Sequence, residues 1–230
     1  MSDLATIRGK VSGIVRDNSG KLVNPTDYDR NINAAIARYS KHCPGIKVLD
    51  ITGNGGHDYS ISLLTGWNDD FSTVKSIEYP IDEIPAEYLE AEGYEVFEKP
   101  TGKVLRLNAD SPPVTEKFRV TVTILRTDAT IPASDEDALC NLAASLCLEE
   151  LANAYTQTSD STIAADSVNH RSKGSEFASR AKALMQLYKQ HMGINEDDTT
   201  PAASAVADLD LKYPGGAERL THPRKRREQR

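Results

Sequence analysis

The chain has 230 residues, 39% of them hydrophobic and 27% charged, with a formal net charge of −7. This is the balance of a soluble globular protein with one domain, or one domain carrying an insertion. No apolar run approaches the roughly 20 residues that a membrane helix needs, so a membrane-spanning protein is excluded. The start, MSDLATIRGK, lacks the apolar core of a signal peptide, and the three cysteines cannot form a closed disulfide framework. We therefore expect the chain to stay in the compartment where it is made.

Apolar residues at helical spacing predict two helices at the start of the chain. The first runs from Asp3 to about Arg16, with Ser2 or Asp3 as its N-terminal cap. The second begins near residue 25, where Thr26 or Asp27 can cap it, and stops before Cys43-Pro44-Gly45.

The middle of the chain, about residues 46–127, changes to strand-like alternation. Gly, Pro, Asn and Asp separate runs of period two that are rich in β-branched and aromatic residues. These runs are Val48–Ile51, Tyr59–Leu63, Thr73–Tyr79, Tyr94–Phe97, Lys103–Leu107 and Phe118–Ile124. Lys99-Pro-Thr-Gly102 is typical of a hairpin turn between two of them. We predict a small antiparallel sheet or sandwich inserted between helices.

The third part of the chain returns to helical spacing. Ser134–Asp137 resembles a capping box with an acidic first turn. Two helices are expected after it, and the second, from about Val168 to Met192, ends at Gly193, which can cap it. The apolar stripe of the earlier helix is Leu139, Leu142, Leu146, Leu151 and Ala154, and that of the later one is Phe177, Ala181, Leu184, Tyr188 and Met192.

Beyond Ile194 the sequence loses the composition of a packed core, and we expect a segment that is either disordered or ordered only against a partner. From Glu218 to Arg230 it holds six basic and two acidic residues, a formal charge of +4, which leaves −11 on the remainder. The predicted organisation is an α+β protein. A bundle is formed by N-terminal helices (1–44) and a C-terminal helix pair (131–193), with an inserted β domain (45–130) and an extended C-terminal arm (194–230).

Three groups of residues invite a chemical interpretation, and each is better explained by structure. Thr52–His57 is rich in glycine, but a strand-like run follows it rather than the helix that a phosphate-binding loop requires, so we predict a turn. His42, Cys43 and His57 lack the paired spacing of metal ligands. Cys140 and Cys147 lie on the apolar side of a helix, where a thiol acts as a small hydrophobe.

Asp160, Asp166 and His170 form a fourth group, at the break between the last two helices. A carboxylate and a histidine can exchange protons with a substrate, but no nucleophile motif accompanies them. We expect the aspartates to cap turns and the last helix. We assign no catalytic, cofactor-binding or metal-binding residue, and we expect a non-enzymatic subunit of a larger assembly.

The last two predicted helices resemble the head–tail adaptor (connector) proteins of long-tailed bacteriophages. The stretches that carry the resemblance are Asp135–Ala138, Leu148–Tyr155, Asp160–Lys173 and Ala178–Leu184 with Tyr188, about a quarter of the chain. Proteins of this family are small helical bundles, and some carry a β-rich insertion between their helix pairs. They form a ring, usually of twelve copies, beneath the portal, and they continue the DNA channel toward the tail.

The resemblance implies a location and a set of partners. The protein would assemble in the host cytoplasm and reside in the neck of the virion. Its partners would be further copies of itself, the portal protein, the next neck or tail-completion protein and, transiently, the packaged DNA, with no membrane and no cofactor. In the family a C-terminal segment docks on the portal, and here the corresponding residues would be Leu209, Leu211, Tyr213, Pro214, Arg219, Leu220, Arg224, Lys225, Arg226 and Arg227.

Two other interpretations remain open at this point. The chain could be a different neck protein, such as a stopper or a tail terminator, which the β-rich part favours and the long paired helices do not. It could also be a DNA-binding protein that uses the basic end, although only His170–Lys173 resembles the start of a recognition helix.

Overall fold

The computed structural model describes residues 3–108, 111–156 and 173–194. The protein is a mixed α+β structure in which two helices precede a β-rich part and two follow it. The helices are α1 (Leu4–Val15), α2 (Thr26–His42), α3 (Glu136–Thr156) and α4 (Lys173–Met192). The strands are β1 (Gly45–Thr52), β2 (Asp58–Ser60), β3 (Val74–Glu78), β4 (Tyr94–Lys99), β5 (Gly102–Leu107) and β6 (Lys117–Ile124).

The starts of the first two helices differ in how they are capped. Asp3 caps α1, because its Oδ1 accepts a hydrogen bond from the backbone N–H of Thr6 at 2.8 Å. The prediction that Thr26 or Asp27 caps α2 is wrong, since Pro25 occupies the cap position and makes no side-chain cap bond. The carboxylate of Asp27 instead accepts from the backbone N–H of Val23 at 2.7 Å, which fixes the chain just before the helix.

The four helices form one group arranged around α3, which contacts each of the other three. Eleven residues of α3 are buried, and several of them are Ala or Ser, whose small side chains let neighbouring backbones approach. Of the predicted α4 stripe, Ala181 and Tyr188 are buried and the rest are half-buried. The polar break before α4 and the predicted first turn of this helix lie outside the described residues.

The β-rich part is a small sandwich of two antiparallel sheets. The strand order is β1-β6-β3 in one sheet and β2-β5-β4 in the other. Side chains from both sheets share one core, in which the rings of Tyr59 and Phe118 meet edge to face at 4.7 Å between centroids. The predicted hairpin turn is confirmed, with Gly102 at φ +123°, a backbone conformation that favours glycine.

One predicted strand is shorter than its pattern indicates. The run Tyr59–Leu63 leaves the sheet at Ser60 and continues as a 3-10 turn over Ile61–Leu63. The Ser60 hydroxyl accepts from the backbone N–H of Ser62, a local bond that competes with the sheet ladder. Ile61 and Leu64 are still buried in the sandwich core. The apolar pattern therefore indicates which side chains are buried, and not that the backbone forms a strand.

The sandwich joins the helices through Arg126, two residues after β6. Its guanidinium donates hydrogen bonds to the carbonyls of Cys43 and Thr130, each at 2.7 Å, and to that of Pro44 at 3.3 Å. Its own backbone N–H donates to the hydroxyl of Ser40, which is buried in α2. Residues Met1–Met192 form one compact unit, and Gly193–Arg230 a second, of which only the first two residues are described.

Candidate interaction surfaces

The glycine-rich segment after β1 is a turn, as the sequence predicts. Gly55 adopts φ +71°, and the Asn54 side chain accepts from the N–H of Gly56 at 2.8 Å. The His57 ring bonds the carbonyl of Leu107 at 2.8 Å, inside the sandwich part. The segment therefore links two strands and presents no helix start to a phosphate group.

Hydrogen bonds and burial give the described histidine and cysteine side chains structural roles. His42 Nδ1 lies 2.6 Å from the hydroxyl of Tyr188, which ties the end of α2 to α4. Burial raises the pKa of Cys140 and of Cys147 to about 11 each, so both stay as neutral thiols. No group of three or more His, Cys, Asp or Glu side chains with metal-binding geometry occurs in the described parts of the chain.

The residues that the sequence nominated for acid–base chemistry and for portal docking are not placed by the structure. Asp160, Asp166 and His170 lie between the described parts of α3 and α4, and the docking residues follow position 194. The docking residues outside the described ranges are Leu209, Leu211, Tyr213, Pro214, Arg219, Leu220, Arg224, Lys225, Arg226 and Arg227.

A hydrogen-bonded carboxylate connects three helices at one end of the helical group. Asp135, just before α3, accepts from the hydroxyl of Tyr39 on α2 and lies 3.1 Å from Nε2 of His191 on α4. Burial would raise the pKa of Asp135, but the hydrogen bonds of Tyr39 and His191 hold it below its usual value. Burial and the same bond raise the pKa of Tyr39. This arrangement fixes helix positions, and sequence spacing gave no signal for it because its members lie on separate elements.

Two ion-pair clusters lie on the sandwich. Arg119 contacts Asp50 at 2.7 Å and Asp82 at 3.0 Å, across one sheet. Asp58 bonds Arg106 at 2.8 Å and also Lys99, and these bonds, that of Arg106 first, lower the pKa of Asp58 to about 2. Each carboxylate here has a cationic partner, which marks the clusters as structural.

A groove with a volume of about 330 Å³ lies between β3 and β4, the edge strands of the two sheets. Its lining comes from the loop after β2 and from strands β3, β4 and β5: Trp67, Asp69, Ser72, Thr73, Val74, Tyr94, Glu95, Val96 and Lys103. The backbones of β3 and β4 do not pair, and the hydroxyl of Tyr94 reaches the carbonyl of Lys75 at 3.3 Å to bridge them. The groove is therefore an unclosed seam of the sandwich.

The exposure of Val96 shows that the side of the sandwich at this seam is not covered. It lies opposite Leu105, which is fully buried, so its side chain points to the same inner face of the sheet. Yet Val96 is 41% exposed. An inward valine remains accessible because no described strand lies beyond β4 to cover it.

Further apolar surface is exposed on other parts of the molecule. Ile46 and Val48 on β1 are 66% and 54% exposed, on the outer face of an edge strand. A second groove, of about 360 Å³, lies where Arg126 joins the sandwich to the helices, and its lining includes Leu4, Ile36 and Leu125. Exposed apolar patches of this kind are typical of protein–protein contact sites.

The segment from Ser76 to Glu98 is strongly acidic. It contains eight Asp and Glu residues and no Lys, Arg or His. Glu78 and Asp82 pair with Arg119. Exposed carboxylates without an ion pair to any described residue are Glu83, Glu87, Glu90, Glu92 and Glu98. This segment includes all of β4 except its last residue, Lys99, so the open seam and these carboxylates lie on the same stretch of chain.

None of the described helices has the length and hydropathy that a membrane crossing requires. No protein-family model matches this chain, and a search of curated proteins finds no significant sequence match.

Proposed function

We propose that this chain is a non-enzymatic structural subunit of a bacteriophage neck, a head–tail adaptor that forms a ring under the portal and continues the DNA channel. One observation carries most of the support. Helices from both ends of the described chain pack around α3, while the β sandwich is inserted in the sequence between α2 and α3. This is the order of elements in adaptors that carry a β-rich insertion.

The surface chemistry is compatible with this role. The chain up to residue 217 has a formal charge of −11, and a negative wall repels duplex DNA, which keeps the duplex from adhering during passage. The sandwich has exposed apolar residues on an edge strand and an open seam, features that suit a subunit surrounded by protein neighbours.

The docking segment would be the C-terminal arm. Leu209, Leu211 and Tyr213 supply apolar contacts, and the basic run from Arg224 to Arg227 supplies charge-assisted bonds to carboxylates of the portal. In a ring each subunit contributes the same small contact, so many weak contacts add to a firm joint.

The test is a pull-down with the portal protein encoded in the same genome. Full-length chain is compared with a truncation after Gly193 and with a reversal of the four basic residues at 224–227 to Glu. A matched reversal of four exposed lysines on the body, Lys41, Lys75, Lys117 and Lys182, changes the net charge equally.

The expected result is binding by the full-length chain and by the body reversal, with loss of binding in both arm variants. If the full-length chain fails to bind portal but retards duplex DNA with a steep salt dependence, the adaptor proposal is wrong and the basic end belongs to a nucleic-acid-binding protein.

A further inference from the structure

We propose that the open seam of the β sandwich binds the C-terminal segment Leu209–Tyr213 of a second copy of this chain, which adds a strand to the free edge of β4. The contact concerns two copies of this chain and needs no portal. It would join free copies of the chain to one another before the portal is bound.

Strand β4 has a free edge. β4 is the last strand of its sheet, and no described backbone group pairs with its outer side. It is six residues long and contains no proline. A free strand edge presents unpaired N–H and C=O groups, and an extended segment of another chain can form hydrogen bonds with them.

Apolar side chains form the floor of the groove beside that edge. Val74, Val96 and Trp67 line the groove, and Val96 is left 41% exposed on the inner face of its sheet. Neighbouring strands lie about 4.8 Å apart, so a strand paired to β4 would place alternate side chains directly beside Val96. Apolar residues at every second position of the added strand would then complete the sandwich core.

The sequence after residue 194 contains one segment with the pattern of such a strand. Beyond residue 194 the sequence alternates apolar and charged residues in one place only, Leu209-Asp-Leu-Lys-Tyr213. Leu209, Leu211 and Tyr213 would share one face of an extended strand, which is the pattern that the groove requires. Pro214 follows at once, and a proline ends strand pairing because it lacks an N–H.

The charges of the two segments are complementary. The acidic segment, residues 76–98, has eight carboxylates and no cation and is followed by Lys99 at the end of β4, whereas the sequence after the proposed strand carries +4 between Glu218 and Arg230. A strand docked on β4 would bring that basic end close to the unpaired glutamates. Opposite charges of this kind favour encounter and fix the orientation of the partner.

The same arm would contact the portal in the proposed neck. The two contacts are therefore alternatives for one segment: a neighbouring copy holds it until the portal takes it.

Disulfide trapping between full-length chains tests this contact. One chain carries Val96→Cys, the other carries Leu211→Cys and a size tag, and both carry Cys43→Ser. Cys43 is the one native cysteine that is not buried. The control replaces Val96→Cys with Val48→Cys, an exposed valine on the edge strand of the other sheet. Mild oxidation, non-reducing gels and mass spectrometry identify the mixed disulfide.

We expect a mixed 96–211 dimer that is lost in the Val48 control. We also expect its yield to fall as salt rises, because the screening length shortens from about 10 Å at 0.1 M to about 3 Å at 1 M. No mixed dimer, or equal trapping by both cysteine positions, would overturn the proposal. A double variant with both cysteines on one chain would also overturn the proposal if its disulfide formed only within that chain. The occupant of the seam would then be the chain's own arm. Portal binding is a separate measurement, so failure here does not decide the proposed function.

Discussion

Replacing Arg126 with alanine should separate the unfolding of the β sandwich from that of the helices. Arg126 follows β6, and its guanidinium donates to the carbonyls of Cys43, Pro44 and Thr130. Cys43 and Pro44 lie between the last turn of α2 and the first strand, so one side chain fastens both ends of the sandwich where the chain enters and leaves it.

The magnitude follows from the bonds that are lost. A hydrogen bond from a charged donor contributes about 1.5–3 kcal/mol, and a carbonyl left without a partner in a buried setting costs about 1–3 kcal/mol. Arg126 is half-buried, so water can replace part of what the substitution removes. We expect a loss of about 3 kcal/mol in the free energy of unfolding of the sandwich.

The chain carries natural probes for the two parts. Its single tryptophan, Trp67, lies against the sandwich core, so fluorescence follows the sandwich in a urea titration. Far-ultraviolet circular dichroism is dominated by the four helices. In the native protein the two transitions should coincide, and in Arg126→Ala the fluorescence transition should move to lower urea while the helical transition moves less.

The control is Arg180→Ala. Arg180 also donates to a backbone carbonyl, that of Ile14 at 3.1 Å, but the bond is exposed and joins two helices. Its removal should change the free energy of unfolding by less than about 1 kcal/mol and leave the two probes coincident. If Arg126→Ala behaves like Arg180→Ala, the junction does not depend on this guanidinium and the argument is refuted.

Three further outcomes follow from burial and charge. Phe118→Ala should lower the free energy of unfolding by about 3–5 kcal/mol in the urea titration, because the ring is fully buried between the sheets; a loss below about 1 kcal/mol would contradict that packing. Because bonded cations lower the pKa of Asp58 from 3.8 to about 2, the stability that this carboxylate adds is present above about pH 4 and is lost as the pH falls toward 2. The melting temperature of Asp58→Asn should not show this loss of stability as the pH falls. If NMR shows that the Asp58 carboxyl titrates near pH 4, the reasoning is wrong. Cys140 and Cys147 should resist iodoacetamide at pH 8 in native protein and react in urea, since burial raises both pKa values to about 11; rapid native labelling identified by mass spectrometry would argue against their burial.

Local patterns predicted the helices and most strands with bounds close to those observed. The first helix, expected from Asp3 to about Arg16, spans Leu4–Val15, and the hairpin at Gly102 forms where its turn residues stand. These features depend on neighbours in sequence: a cap accepts from an N–H three residues away, and a turn requires a glycine at one position. The exception, Ile61–Leu63, has a strand-like apolar pattern, but a local serine bond draws it into a 3-10 turn.

The surfaces that carry the proposals could not be predicted in the same way. Val96 has the inward position that its alternation indicates, but alternation does not reveal whether a further strand covers it. That depends on strand order, and the structure pairs β1 with β6, about seventy residues apart in sequence. Arg126 gave no signal either, since its partners are backbone carbonyls, which every residue has.

The amino-acid sequence thus determines the α+β class, the order of helices and strands, the acidic body and the basic end, because each depends on composition or on contacts a few residues apart. Tertiary structure alone decides that α3 is the centre of the helical group, that Arg126 fastens the sandwich, and that a seam stays open beside β4. Those features arise from long-range pairing, in which a side chain becomes buried or exposed according to which distant segment reaches it.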